Sequence, residues 1–316
     1  MNGIVRFLAS SGFLLLPSLA TASAQVSLHS ERLEITHDKP YVMVMVNGRG
    51  PFRFVIDTGT GGPAIVTPEL ADTLGLPVTG QARLTDPSGQ GERREQIVQI
   101  DSLVVAGVEF TGIKAIRHAL GGEDGTCQGL LGFPLFRDYL LTLDYPNRTI
   151  TLASGSLRPD GVHSVLPFRM PEGVPIVLLR IGDTAVEAQF DSGGTGLSLP
   201  EPLVGRLKLS SGPVPYGNGQ SLATRYQVKA ARLADDVHLG RYSFPHAVVE
   251  VNPAFPLANL GAQAIGNFSV TFDQRNQLLA VYSARQSFHL DLAPTEVRMK
   301  NAPPAKPVDQ ALVPVG

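Results

Sequence analysis

The chain has 316 residues, 43% of them hydrophobic and 17% charged, which suits one large domain or two of about 130 to 150 residues and excludes a disordered chain. Its 33 glycines and 25 prolines interrupt helices too often for a helical bundle and favour an all-β, turn-rich architecture. A net charge of −2 argues against nucleic-acid binding, and the single cysteine, Cys127, excludes an intramolecular disulfide and a cysteine-based metal site.

The first element is a leader. Arg6 precedes an apolar run from Phe7 to Ala20, followed by Ala22-Ser23-Ala24. That pattern predicts a signal peptide over residues 1–24, cleaved after Ala24. The run is too short for a span, which needs about 20 apolar residues, and Pro17 interrupts it. The expectation is a periplasmic or secreted protein with no stable membrane anchor after cleavage. Next, Val42 to Val46 reads as a strand ending in the turn Asn47-Gly48, and Phe52 to Ile56 as the returning strand. Asp57-Thr58-Gly59 follows. Pro68 to Leu76 reads as a short helix with Thr67 as N-cap and Gly75 at its end. Arg83 to Arg93 is a Gly/Pro-rich hairpin. Arg158 to Ser164 reads as a link, giving lobes over residues 25–158 and 159–291. From Asn301 the chain turns Ala/Pro-rich, and residues 292–316 read as a disordered tail.

The second half repeats the first. Ile176 to Ile181, Gly182, then Val186 to Phe190 and Asp191-Ser192-Gly193 answer the first strands and motif, and Asp57 and Asp191 stand 134 residues apart. Pro200 to Leu207 is the expected counterpart of the helix. Leu103 to Phe110 answers Val237 to Phe244. Gly129-Leu130-Leu131-Gly132 aligns with Gln263-Ala264-Ile265-Gly266, and Leu141 to Asn147 with Val270 to Asn276 at an offset of 129. The shift from 134 to 129 implies a loss of about five residues, placed just after Gly266. Asp144 and Asp273 read as caps of the hairpins before Asn147 and Asn276.

A lone Asp-[Thr/Ser]-Gly is weak, because turns use Asp and Gly routinely. Two copies at equivalent positions of a duplicated unit, each after an apolar strand and each with an apolar-apolar-Gly triplet downstream, form a constellation. On these residues the chain resembles the aspartic proteases, pepsin-like and retropepsin-like, over about residues 28 to 290. It is most similar to bacterial two-lobe retropepsin-like members, and among them to exported peptidases that process envelope proteins, including the polarity-factor peptidases. The resemblance implies two pseudo-symmetric β-barrel-like lobes with a cleft between them. It implies Asp57 and Asp191 as the catalytic pair of an aspartic endopeptidase, supported by Thr58, Gly59, Thr60, Ser192, Gly193 and Thr195. Thr58 and Ser192 would tie the two loops together. Gly132 and Gly266 would lie where another strand crosses behind them.

The chemistry has its own reason. Two adjacent carboxylates cannot both ionise, so they share a proton. The ionised member activates a water and the protonated member polarises the scissile carbonyl. An optimum below about pH 6.5 is expected on that ground. The family places a hydroxyl directly after each Gly to hold the outer carboxylate oxygen. Thr60 supplies one, whereas the second lobe has Gly194, so either Asp191 lacks that bond or Thr195 supplies it.

A cleft of this kind is closed by a hairpin. The candidates are Ser88 and Gly89 in the first half, and Tyr216 and Gly217 in the second. The expected partner is an extended peptide or protein substrate. One chain supplies both aspartates, so a monomer suffices. Seven histidines show no metal spacing, and no cofactor or metal is expected. The rival reading, motivated by Gly194 and by the unusual flap, is a catalytically inactive peptide- or protein-binding module on the same fold.

Overall fold

Alternation of buried and exposed side chains builds strands through most of the chain. The structure, a computed structural model, describes residues 28–84, 92–120, 126–220, 225–253 and 255–292. The predicted leader, Ser88, Gly89 and the tail from residue 293 lie outside these. The first half forms β1 (Leu28–Arg32), β2 (Glu34–Thr36), β3 (Lys39–Val46), β4 (Arg49–Asp57), β5 (Ala64–Val66), α1 (Pro68–Leu74), β6 (Val78–Leu84), β7 (Arg93–Val105), β8 (Val108–Arg117), β9 (Gly129–Gly132), β10 (Leu140–Asp144) and β11 (Thr149–Ala153). The second forms β12 (Ser164–Pro167), β13 (Ile176–Ile181), β14 (Thr184–Phe190), β15 (Leu197–Pro200), α2 (Glu201–Val204), β16 (Leu209–Gln220), β17 (Arg225–Leu233), β18 (Val237–Leu239), β19 (Tyr242–Phe244), β20 (Val248–Asn252), β21 (Ala258–Leu260), α3 (Ala262–Ile265), β22 (Ser269–Asp273) and β23 (Leu278–Tyr282).

Local chemistry sets these boundaries. Asn47 and Gly48 both take positive φ, the geometry a two-residue hairpin needs between β3 and β4. The Thr67 side chain accepts from the Leu70 N–H at 3.2 Å, Pro68 opens α1, and Gly75 closes it in the left-handed conformation. Asp144 and Asp273 each accept from a backbone N–H three residues on, at Asn147 (3.0 Å) and Asn276 (3.1 Å). Both cap their hairpins as read from the sequence.

The protein is all-β in two lobes. The first sheet runs β2-β3-β4-β9-β5-β8-β7-β6, and β3 also pairs with β7, which folds the sheet back on itself. The second runs β16-β17-β20-β15-β21-β14-β13-β18-β19. Read from β13 outward, it repeats the first strand for strand. A third sheet, β1-β11-β10-β22-β23-β12, draws on both halves. At its centre β10 and β22 run antiparallel with Thr142 opposite Thr271, and the two hydroxyls lie 2.8 Å apart on the pseudo-twofold axis. Phe133, Phe190 and Phe272 pack edge-to-face around this junction, with ring centroids 5.0 and 5.4 Å from Phe272.

One expected equivalence is corrected. β9 runs parallel to β4 with Gly132 opposite Asp57. In the second lobe β21 runs parallel to β14 with Leu260 opposite Phe190, so Gly261 falls opposite Asp191. The counterpart of Gly129–Gly132 is therefore Ala258-Asn259-Leu260-Gly261, at an offset of 129. Gln263 to Ile265 lie in the turn of α3, with Gly266 as its C-cap. A Cβ at Gly132 would come 1.9 Å from the Gly62 carbonyl oxygen, and one at Gly261 would come 2.6 Å from that of Gly196. These two positions require glycine because backbone crosses there. The five-residue loss falls before β21: the register-matched residues Ile116 and Leu130 stand 14 apart in the first lobe, and Glu250 and Asn259 only 9 apart in the second.

Candidate active site

Each Asp-[Thr/Ser]-Gly turn leaves the end of a central strand, β4 or β14, and the two turns meet on the pseudo-twofold axis. Thr58 and Ser192 are fully buried and lock them together reciprocally. The Thr58 hydroxyl donates to the Phe190 carbonyl (2.6 Å) and accepts from the Ser192 N–H (3.0 Å). The Ser192 hydroxyl donates to the Ile56 carbonyl (2.7 Å) and accepts from the Thr58 N–H (3.0 Å). Every polar atom of both side chains is satisfied, so this buried polar pair fixes the spacing of the loops. Gln189 adds a crossing bond, Nε2 to the Gly59 carbonyl at 2.9 Å.

This lock brings the Asp57 and Asp191 carboxyls together, both half-buried. The loops leave no room for a side chain at the third motif position. A Cβ at Gly59 would lie 2.5 Å from the Asp191 carboxyl carbon, and one at Gly193 would lie 2.4 Å from that of Asp57. Asp57 Oδ1 accepts from the Gly59 N–H (2.8 Å) and Oδ2 from the Thr60 hydroxyl (3.1 Å). Burial raises the Asp57 carboxyl well above the usual carboxylate range. The charge of Asp191 and the bond shared with it push the same way, while Thr60 and the Gly59 N–H pull it down.

The second carboxylate is held differently. Asp191 Oδ1 accepts from the N–H groups of Gly193 and Gly194, both at 2.9 Å. Its outer oxygen, Oδ2, accepts from Asn259 Nδ2 at 2.7 Å. The expectation that Thr195 supplies this bond is corrected: Thr195 is exposed, and its carbonyl instead accepts from the Gln263 N–H at 2.9 Å. Gly194 explains the exchange. A Cβ there would come 2.8 Å from Asp191 Oδ2 and 2.9 Å from Asn259 Nδ2. The missing hydroxyl thus makes space for the amide, which arrives from β21.

Beside the pair, the buried Tyr145 hydroxyl lies next to Ser192. Burial, and then the charge of Asp191, hold this phenol above its ordinary range. Tyr216 packs on Ala230, Val248 and Leu292, and Gly217 is exposed; both belong to β16 of the β16–β17 hairpin. The β6–β7 hairpin is its first-lobe counterpart, with Ser88 and Gly89 outside the described residues. Asn259, Gln189 and Tyr145 were not singled out from sequence. Asn259 and Gln189 become visible once the halves are aligned by strand register.

No curated protein matches the chain. A family model described as aspartyl protease matches residues 42–135, which run from β3 past β9 and include Asp57, Thr58, Thr60 and Gly132. Over that segment, the chain is similar to the aspartyl proteases.

Proposed function

We propose that the protein is an aspartic endopeptidase that hydrolyses peptide bonds with a water activated between Asp57 and Asp191. The observation that carries this reading is the pair itself: two carboxyls, each packed against the glycine of the opposite motif, delivered by two locked, symmetry-related loops of one chain. The family match over the first lobe supports the same class. The pair shares one proton: its protonated member polarises the scissile carbonyl, and its ionised member takes the proton of the attacking water. The donors around both carboxyls are fixed before substrate arrives, so little reorganisation accompanies the reaction. Asn259 favours the enzyme over an inactive binding module, since the outer oxygen of Asp191 is held despite Gly194.

The substrate is an extended segment of peptide or protein lying between the lobes beneath the β6–β7 and β16–β17 hairpins. The leader read over residues 1–24 supports export to the periplasm or medium, where envelope proteins are the accessible substrates. A monomer suffices, because one chain supplies both carboxyls. The test is to incubate the protein with a proteome-derived peptide mixture, with and without a pepstatin-type inhibitor, and read the products by mass spectrometry. Inhibitor-sensitive internal cleavage is expected. Cleavage indifferent to the inhibitor would contradict the reading.

A further inference from the structure

The pseudo-twofold axis relates two rows of side chains that flank the carboxyl pair, and their chemistry differs. In the first lobe, strand register sets Val55, Leu130, Ile65, Ile116 and Ile97 side by side across β4, β9, β5, β8 and β7. Registered residues share a sheet face, and Val55 precedes Asp57 by two residues, so the row adjoins the carboxyl. Its members are apolar, and Leu120 and Cys127 from the long connection to β9 pack on it. In the second lobe the same positions on β14, β21, β15, β20 and β17 hold Gln189, Asn259, Ser198, Glu250 and Ala230. Four apolar side chains are replaced by polar ones. The connection that roofs the first row is five residues shorter here, and its Phe255 packs on Tyr226 instead.

Two groups in this row are unused by the catalytic geometry. Asn259 Oδ1 is buried with no hydrogen-bond partner among the described residues. Among the described residues the Glu250 carboxyl has no ion pair or hydrogen bond, and its neighbours on β20, Val249 and Val251, point into the main core on the opposite face. Ser198 Oγ lies between them and accepts from Asn252 Nδ2 at 2.7 Å. A desolvated carboxyl without a partner is costly, and burial accordingly raises Glu250 to about 7. A cation would relieve that cost.

We infer that this row is a selectivity site for a basic residue, Lys or Arg, next to the scissile bond, with Glu250 as its counter-charge and Asn259 Oδ1 as a second acceptor. The inference rests on the proteolytic reading. A residue seated over Asn259 has Glu250 two strand spacings away, about 10 Å. A long side chain and the glutamate bridge that gap together, and a short one leaves Glu250 unpaired. On the face of the first-lobe row the carboxyl of Glu95 is already taken by His118 Nδ1 at 2.9 Å, so the two residues flanking the cleaved bond are selected asymmetrically.

The test uses peptides identical but for Lys, Arg, norleucine or Glu at either residue flanking the scissile bond. The wild type is expected to favour Lys or Arg over norleucine at one of the two positions by about tenfold or more in kcat/KM. In Glu250→Gln, which keeps the shape, that ratio is expected to collapse to within about twofold. In Glu250→Ile, which copies the first lobe, norleucine is expected to be preferred. The same peptides are titrated by fluorescence anisotropy against the Asp57→Asn protein, where Lys is expected to bind about tenfold more tightly than norleucine. Equal ratios in wild type and Glu250→Gln, or no basic preference in the wild type, would overturn the inference while leaving proteolysis standing. Selective binding lost in an Asp57→Asn, Glu250→Gln double variant, with no hydrolysis by the wild type, would uphold the site and overturn the proteolytic reading.

Discussion

Asn259 occupies the place that Leu130 holds in the first lobe, and it does for Asp191 what the Thr60 hydroxyl does for Asp57. A hydrogen bond to a charged group contributes about 1.5–3 kcal/mol. Asn259→Leu is therefore expected to lower kcat/KM by roughly 10- to 100-fold with the fold retained by circular dichroism. Unchanged kinetics would show that Asp191 needs no such support. Asp57 makes a second prediction, through stability. Its carboxyl is raised in the folded protein, whereas the unfolded chain ionises it near the ordinary aspartate value of 3.8. As pH rises from about 4 toward neutral, the unfolded state loses a proton that the folded state keeps, so this group's contribution to stability declines. Asp57→Asn removes that decline. The variant's Tm is expected to gain on the wild type between pH 4 and 7.5, by about 2–4 °C for each kcal/mol, and a pH-independent difference would contradict the assignment. The same shift moves the alkaline limb of activity upward from the mild-acid optimum expected of an ordinary carboxylate pair. At this scale Asp57, Asp191, Thr58, Ser192 and Thr60 were legible because they sit in contiguous motifs repeated in both halves. Asn259 was not, because its contact with Asp191 spans 68 residues and exists only once β21 is laid beside β14.

Among the elements, the two loops depend on each other more than on their own lobes. Ser192→Ala leaves the Thr58 N–H and the Ile56 carbonyl without their buried partner. The expected loss is about 1–3 kcal/mol, read as a lower midpoint in urea unfolding with the slope preserved. A change under about 0.5 kcal/mol would mean the lock is not what spaces the carboxyls. The strands, the hairpin turn at Asn47-Gly48 and helix α1 followed from alternation, Gly positions and capping chemistry. The strand behind the second loop was misplaced by five residues. Ala264-Ile265-Gly266 satisfies the apolar-apolar-Gly pattern while lying in a helical turn, and Asn259-Leu260-Gly261 breaks the pattern while lying in the strand. Composition at one position misled there. Backbone crossing, which demands glycine at 132 and 261, is the more dependable criterion.

For the whole molecule, duplication explains the two lobes, and the similarity to aspartyl proteases is matched over residues 42–135 of the first lobe. The shared third sheet was not legible, since each half contributes to it short strands whose pairing across the axis leaves no local signature. That sheet joins the lobes through β10 and β22, and Gln274 of the second half donates to the Phe133 carbonyl of the first at 2.7 Å. Calorimetry is therefore expected to give one cooperative transition for both lobes; two resolved transitions would show that the junction does not couple them. The most direct test of the central claim compares wild type, Asp57→Asn, Asp191→Asn and an equimolar mixture of the two variants on a mixed peptide library between pH 4 and 7.5, with products read by mass spectrometry. Cleavage by the wild type alone, with the mixture silent, is the predicted result, because a single chain supplies both carboxyls. Cleavage retained by either variant would contradict the pair as the catalytic centre, and activity restored by mixing would contradict its assembly within one chain.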